Sequence, residues 1–149
     1  MKLELGGEET ITTSPDTLWK SVIDPAVLQR SIPGCTSMVE TETNHYVMTL
    51  DLKVAAVGGS FEGSVALSDM DPPRACVITV SGSGTLGTGN GSADVTISET
   101  EDGNAKIAYQ ALGEVGGLVA GVGQRILMGV AKHLVRQFFT ALKKEFAAV

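Results

Sequence analysis

Two histidines, two cysteines and a pair of aspartates one residue apart are the first places to look for side-chain chemistry in this chain. General acid–base work needs a His, Asp or Glu in a cleft that tunes its pKa. His45 follows Asn44 beside a turn, where a solvated ring is expected, and His133 adjoins the inward Leu134 on the last helical stretch, as a pocket residue or a boundary residue. Asp69 and Asp71 would point the same way at a strand end, as paired carboxylates or, with Pro72-Pro73, as one side of a turn. Tyr109 alternates inward with Ile107 and Ala111, so its hydroxyl is either the best polar handle of an interior cavity or a satisfied core phenol. Cys35 and Cys76 are too few for a disulfide framework or a structural zinc site, and read as small buried hydrophobes in a reducing compartment.

The motifs that would announce catalysis do not form. Gly82-Ser83-Gly84-Thr85-Leu86-Gly87 has the letters of the dinucleotide fingerprint, but that motif must open a helix, and Ser92 to Ser98 alternate as another strand. Glycines 82, 84, 87, 89 and 91 instead mark a sheet that bends sharply or is approached closely by a ligand or backbone. No G-x-S-x-G elbow stands at a strand-to-helix turn, and neither histidine has a partner at metal-ligand spacing. No catalytic residue, metal site or cofactor is expected from these residues.

Those groups must be held by a chain of 149 residues, 43% hydrophobic and 19% charged, which is one domain spanning 1–149. A net charge of −6 argues against nucleic acid, whose phosphates need clustered Lys and Arg. The charge is uneven: residues 1–117 hold six Lys/Arg against sixteen Asp/Glu, whereas Arg125, Lys132, Arg136, Lys143 and Lys144 face Glu145 alone in the last fifth. No signal-like leader and no run of about 18 apolar residues occurs, so a cytoplasmic protein without a membrane span is expected.

The elements follow from periodicity. Leu3 to Thr13 reads as a first strand; Ser14-Pro15-Asp16 and Asp24-Pro25 each start a short helix, carrying Leu18, Trp19, Val22 and Ile23, then Val27 and Leu28, before Pro33-Gly34 ends the second. From Met38 to Gly117 strand signals alternate, as in Met48 to Val54 and Phe61 to Leu67, with turns at Gly58-Gly59, Asp71-Pro72-Pro73 and Glu101 to Asn104; such short links imply an antiparallel meander. From Leu118 onward one long helix is predicted, with one apolar row at Leu118, Val122, Ile126, Val130, Leu134, Phe138, Leu142 and Phe146 and a second beside it at Val119, Leu127, Ala131, Val135 and Phe139. The expected fold is α+β: a curved antiparallel sheet, two short helices after its first strand, and one long C-terminal helix gripped by the sheet with an apolar cavity between them.

Asp24 to Cys35 (Asp-Pro-Ala-Val-Leu-Gln-Arg-Ser-Ile-Pro-Gly-Cys), Leu67 to Pro73, the glycine-rich pair of strands from Gly82 to Gly91, and Gln137-Phe138-Phe139 together resemble the CoxG family of carbon monoxide dehydrogenase proteins. That family lies in the START-like (SRPBCC) helix-grip superfamily, and the resemblance runs from about Leu5 to Phe146. It implies a non-catalytic accessory protein of a molybdenum hydroxylase such as carbon monoxide dehydrogenase, linked to recruiting the enzyme to the cytoplasmic membrane and to handling a hydrophobic quinone. Two departures narrow the transfer: Ser31 stands where members often have Cys or Ala, and the sequence stops at Val149, before the extension by which some members reach the membrane.

Strand parity and helix face select Phe61, Val65, Leu67, Ile78, Val80, Tyr109, Val122, Ile126, Leu127 and Val130 as walls of a cavity for a quinone-like or lipid-like molecule. Arg125, Lys132, Arg136, Lys143 and Lys144 would guide the protein to an anionic membrane surface or an acidic partner, or form a solvated helix face. The competing expectations are a START-like cyclase, dehydratase or hydrolase acting on an apolar substrate through Tyr109 and one acid, and a scaffold with a filled core.

Overall fold

The computed structural model describes residues 1–53 and 58–146. Seven strands, β1 (Lys2–Ile11), β2 (Cys35–Glu42), β3 (His45–Leu52), β4 (Gly59–Asp71), β5 (Ala75–Gly84), β6 (Gly87–Glu99) and β7 (Ala105–Gly116), form one antiparallel sheet in the order β1-β7-β6-β5-β4-β3-β2. Strands β2 to β7 are the expected meander. The exception is β1, which closes the far edge against β7, so the chain between β1 and β2 must cross from one edge of the sheet to the other.

Helices α1 (Pro15–Val22) and α2 (Pro25–Ser31) make that crossing. Each begins as its sequence dictates: the Thr17 amide donates to Ser14 Oγ at 3.2 Å, the Ala26 amide donates to Asp24 Oδ1 at 2.9 Å, and a proline occupies the first turn where its missing N–H costs nothing. Neither is long enough to persist alone, so both depend on burial of Leu18, Trp19 and Val27 against the sheet and the last helix. The Tyr46 hydroxyl donates to the Ile23 carbonyl at 2.7 Å and fastens the link between α1 and α2 to β3.

The long helix differs from expectation at its start. Leu118–Val122 is a 3₁₀ turn, and α3 proper runs Gln124–Glu145 after Gly123, whose φ of 102° no side-chain-bearing residue adopts readily. The apolar row also leaves the interior. A row spaced by four advances about 40° around a helix at each step, so four steps separate Ile126 from Leu142 by about 160°. Leu142 is fully buried, and Ile126 is 52% exposed. The buried arc instead follows Leu127, Val130, Leu134, Val135, Phe138, Phe139 and Leu142.

The main core joins Ile11, Leu18, Trp19, Val95, Ile97, Ile107, Phe139 and Leu142, where α1, α2 and the C-terminal half of α3 meet the β1-β7-β6 side of the sheet. Polar contacts orient α3 without burying charge: Gln124 Nε2 donates to the Lys2 carbonyl at 2.8 Å, Lys143 pairs with Glu9 at 2.7 Å, and Arg30 pairs with Glu145. Among the described residues no helix is long and apolar enough to cross a membrane. Val54, which closes the predicted alternation of β3, lies outside the described residues.

Candidate functional site

Two apolar chambers lie between the concave face of the sheet and α3. The first, about 280 Å³, sits under the N-terminal half of α3 and is walled by Leu3, Leu50, Phe61, Val80, Val115, Val119, Leu127 and Val130. The second, about 360 Å³, sits under the C-terminal half and is walled by Leu5, Trp19, Leu28, Leu67, Cys76, Ile78, Ile107, Tyr109, Val135, Phe138 and Phe139. Leu134 borders both.

The space of the first chamber comes from missing side chains. Strand parity turns positions 63, 82 and 89 inward, all three are glycine, and Gly63 pairs with Gly82, which pairs with Gly89 across β4, β5 and β6. A row of side chains there would fill the gap beneath α3, so the glycines hold it open. The fingerprint-like Gly82 to Gly87 segment is thus a β5–β6 hairpin with Thr85 and Leu86 as its turn, followed by a strand and not a helix.

Of the ten walls chosen from sequence, Phe61, Val80, Leu127 and Val130 border the first chamber and Leu67, Ile78 and Tyr109 the second. Three do not border either. Val65 packs with Met38, Tyr46 and Leu67, Val122 packs beside Val119 and Leu127 from the 3₁₀ turn, and Ile126 faces solvent through the drift of its row. Sequence reasoning misses the shared Leu134 as a wall, although it stands in the predicted row, and it misses Trp19 and Phe138–Phe139 because nothing local says that α1 and the end of α3 close over the same space.

A third, polar depression of about 830 Å³ adjoins both chambers. It is lined by Arg30, Ser31, Pro33, Gly34, Cys35, Thr36, Asp51, Lys53, His133, Gln137 and Ala141, and it shares Leu134 with both chambers, Leu52 with the first and Pro33 with the second. Gly34 is required here: its φ is +74°, a Cβ would come within 2.5 Å of the Asp51 carbonyl oxygen, and its own carbonyl accepts from the Asp51 amide at 2.8 Å. The Pro33-Gly34-Cys35 segment therefore shapes the floor of this groove.

The titratable groups are held neutral or left in water. Tyr109 stacks on Phe139 with ring centroids 5.6 Å apart, and burial, helped by the charge of Glu9, pushes its pKa up. Burial likewise raises the Cys76 thiol, and the Cys35 thiol is raised by burial although it donates to the Ser37 carbonyl at 3.2 Å. His133 is exposed on the rim of the polar groove, and His45 is exposed with Nδ1 3.0 Å from the Thr43 carbonyl oxygen. Asp69 and Asp71 are exposed beside a bulge in β4, where Asp69 takes a φ of 49° and Asp71 pairs with Arg74.

These shifts set a pH dependence. Cys35, Cys76, Tyr46 and Tyr109 all ionise at higher pH folded than unfolded, chiefly because burial penalises the anion. The unfolded chain therefore loses protons first, so their contribution is intact below about pH 8.5 and falls as pH rises through the thiol and then the phenol range. Urea midpoints are expected to be lower at pH 10.5 than at pH 8; equal midpoints would mean that these groups ionise freely in the fold.

The sequence profile of the CoxG protein of carbon monoxide dehydrogenase matches residues 7–147. None of the curated proteins matches the sequence. Among solved structures, a conserved protein from Geobacillus kaustophilus superposes with a TM-score of 0.92 at 31% identity, covering 96% of this chain and 94% of its own. Proteins from Chromobacterium violaceum and Mycobacterium smegmatis each give a TM-score of 0.70 at 14% identity, covering 95% and 99% of this chain and 95% and 92% of theirs. These last two likenesses are of fold, the helix-grip arrangement of a curved sheet around a long terminal helix.

Proposed function

The chain belongs to the CoxG family of carbon monoxide dehydrogenase proteins, and from that premise we propose that it is a non-catalytic accessory protein of a molybdenum hydroxylase of the carbon monoxide dehydrogenase type, one that holds a hydrophobic molecule such as a quinone or lipid. The observation that carries the ligand reading is the pair of apolar chambers meeting at Leu134, of a combined size within the range of small-molecule sites, roughly 300–1,000 Å³. Empty space of this kind forgoes dispersion contacts that a packed core would make, and an apolar guest recovers them. The test is purification from the native host without detergent, followed by organic extraction, mass spectrometry and ultraviolet absorption. A stoichiometric quinone or lipid is expected; a clean protein would count against the carrier reading.

Support for a non-catalytic role comes from what lines the second chamber. Its titratable groups are Tyr109 and Cys76, both held towards the neutral form, with no imidazole or carboxylate beside them among its lining residues. Acid–base chemistry at neutral pH needs a group poised to exchange protons there. Tyr109→Phe is therefore expected to leave affinity for an apolar ligand within about threefold of wild type, the size of one neutral hydrogen bond at most. Loss of a measurable turnover with affinity intact would favour the START-like enzyme instead.

Recruitment of the enzyme to the cytoplasmic face of the membrane is the remaining part of the proposal. Arg125, Lys132, Arg136 and Lys143 fall within about 40° of one another around α3, while Lys144 projects elsewhere. Lys143 is engaged with Glu9. Beside the start of this basic strip Leu118 is 75% and Ile126 52% exposed, a cationic and apolar combination suited to peripheral contact with anionic lipid or with an acidic partner.

A further inference from the structure

Ser31 closes α2 and lines the polar groove, yet it is 2% exposed and its Oγ has no hydrogen-bond partner among the described residues. A buried hydroxyl without a partner is a cost that folded proteins seldom carry without use. The groove adjoins both chambers through Leu134, so a molecule lying across that residue would have its apolar part in a chamber and its other end among Ser31, Gln137 and His133. Formal charge in the groove is balanced: Arg30 is paired with Glu145, and Asp51 and Lys53 are opposite in sign. A charged head would find no net field to hold it, whereas a carbonyl or hydroxyl would find a donor.

We propose that the groove at Ser31 is the head-group site of an amphipathic ligand, binding a neutral carbonyl- or hydroxyl-bearing head while the tail passes Leu134 into an apolar chamber. This rests on the carrier reading above and adds to it which end of the ligand is recognised and by what chemistry. The Ser31 hydroxyl donates to the head-group oxygen and so gains on binding the partner it lacks in the free protein.

The probes are a decyl-substituted benzoquinone, decylbenzene and decanoate, each competed against Nile red on the full chain at pH 7. The quinone is expected to bind more tightly than decylbenzene and decanoate. Ser31→Ala is expected to weaken the quinone roughly three- to tenfold, the range of one hydrogen bond, and to leave decylbenzene unchanged. Ser31→Cys, with a weaker donor, should fall between the two. The melting temperature of Ser31→Ala should equal or exceed that of wild type, because an unpartnered hydroxyl has been removed. Equal loss for quinone and decylbenzene, or no loss for either, overturns the head-group site while leaving the chambers as the ligand site. Decanoate binding as tightly as the quinone overturns the neutral head. Failure of wild type to bind any of the three overturns the carrier reading and this inference with it.

Discussion

Gly89→Leu is expected to lower the affinity for a decyl-substituted quinone by about 100-fold or more, close to 3 kcal/mol, without loss of the fold. Gly89 lies on the inward face of β6 and borders the first chamber, and a Cβ there would come no nearer than 3.8 Å to the Glu114 carbonyl oxygen, an ordinary contact. The four carbons of the new side chain would then stand in the space a ligand needs. Stability should hold or rise, since glycine within a strand costs roughly 0.5–1 kcal/mol relative to alanine. Gly91, two residues on, is the contrast: a Cβ there would meet the Leu112 carbonyl oxygen at 2.7 Å, so substitution strains the backbone instead of filling a void. Ala93→Leu applies the same test to the second chamber, which Ala93 borders. Loss of binding in one variant and not the other locates the tail; unchanged binding in both, with melting curves intact, would place the ligand outside the chambers.

How much of this is legible in the sequence depends on whether a signal is local. The caps at Ser14 and Asp24, the prolines behind them and the alternation of β4 to β7 are local, and each yields the element it promises. Seven of ten cavity walls follow from strand parity and helix face for the same reason. The failures are geometric. A four-residue repeat looks like one helix face over two turns but not over six, which is why Ile126 and Leu142 share a row in the sequence and lie on nearly opposite sides of α3. The break at Gly123 is hidden because Leu118 and Val122 continue the spacing across it.

The polar groove is illegible for a different reason. Ser31, Asp51 and Gln137 come from α2, β3 and α3, and nothing in their spacing says that they meet. The segment from Pro33 to Cys35 stands out in sequence for its resemblance to a family, and its physical role, a positive φ and a close approach to β3 at Gly34, emerges only once β2 and β3 are paired. The inward glycines at 63, 82 and 89 are within reach, since parity in β4, β5 and β6 places them on the same face as Phe61, Val80 and Ala93. Their register across three strands, which turns separate gaps into one chamber, requires the structure.

Leu142→Ala should cost about 2–5 kcal/mol, a large share of the roughly 5–15 kcal/mol that holds a domain together. Leu142 is fully buried in the cluster with Ile11, Leu18, Trp19 and Phe139, so truncation leaves a cavity where two helices and the sheet converge. For a chain of this length the melting temperature should fall by about 10 °C. Ile126→Ala, from the same four-residue row but half exposed, should change stability by no more than about 0.5 kcal/mol. Similar losses from both would contradict the rotation of the row; a loss under about 1 kcal/mol at Leu142 would contradict its place in the core. The pair also tests how the fold tolerates its empty space. The chambers lie along α3 from Leu127 to Phe139, while the main core lies towards its C-terminal end, so stability and binding are drawn from different stretches of one helix. A ligand that binds only the folded chain adds RT ln(1 + [L]/Kd), about 2.7 kcal/mol at one hundred times Kd. Saturating quinone should therefore restore most of what Leu142→Ala removes and nothing in Gly89→Leu, if the tail occupies the first chamber.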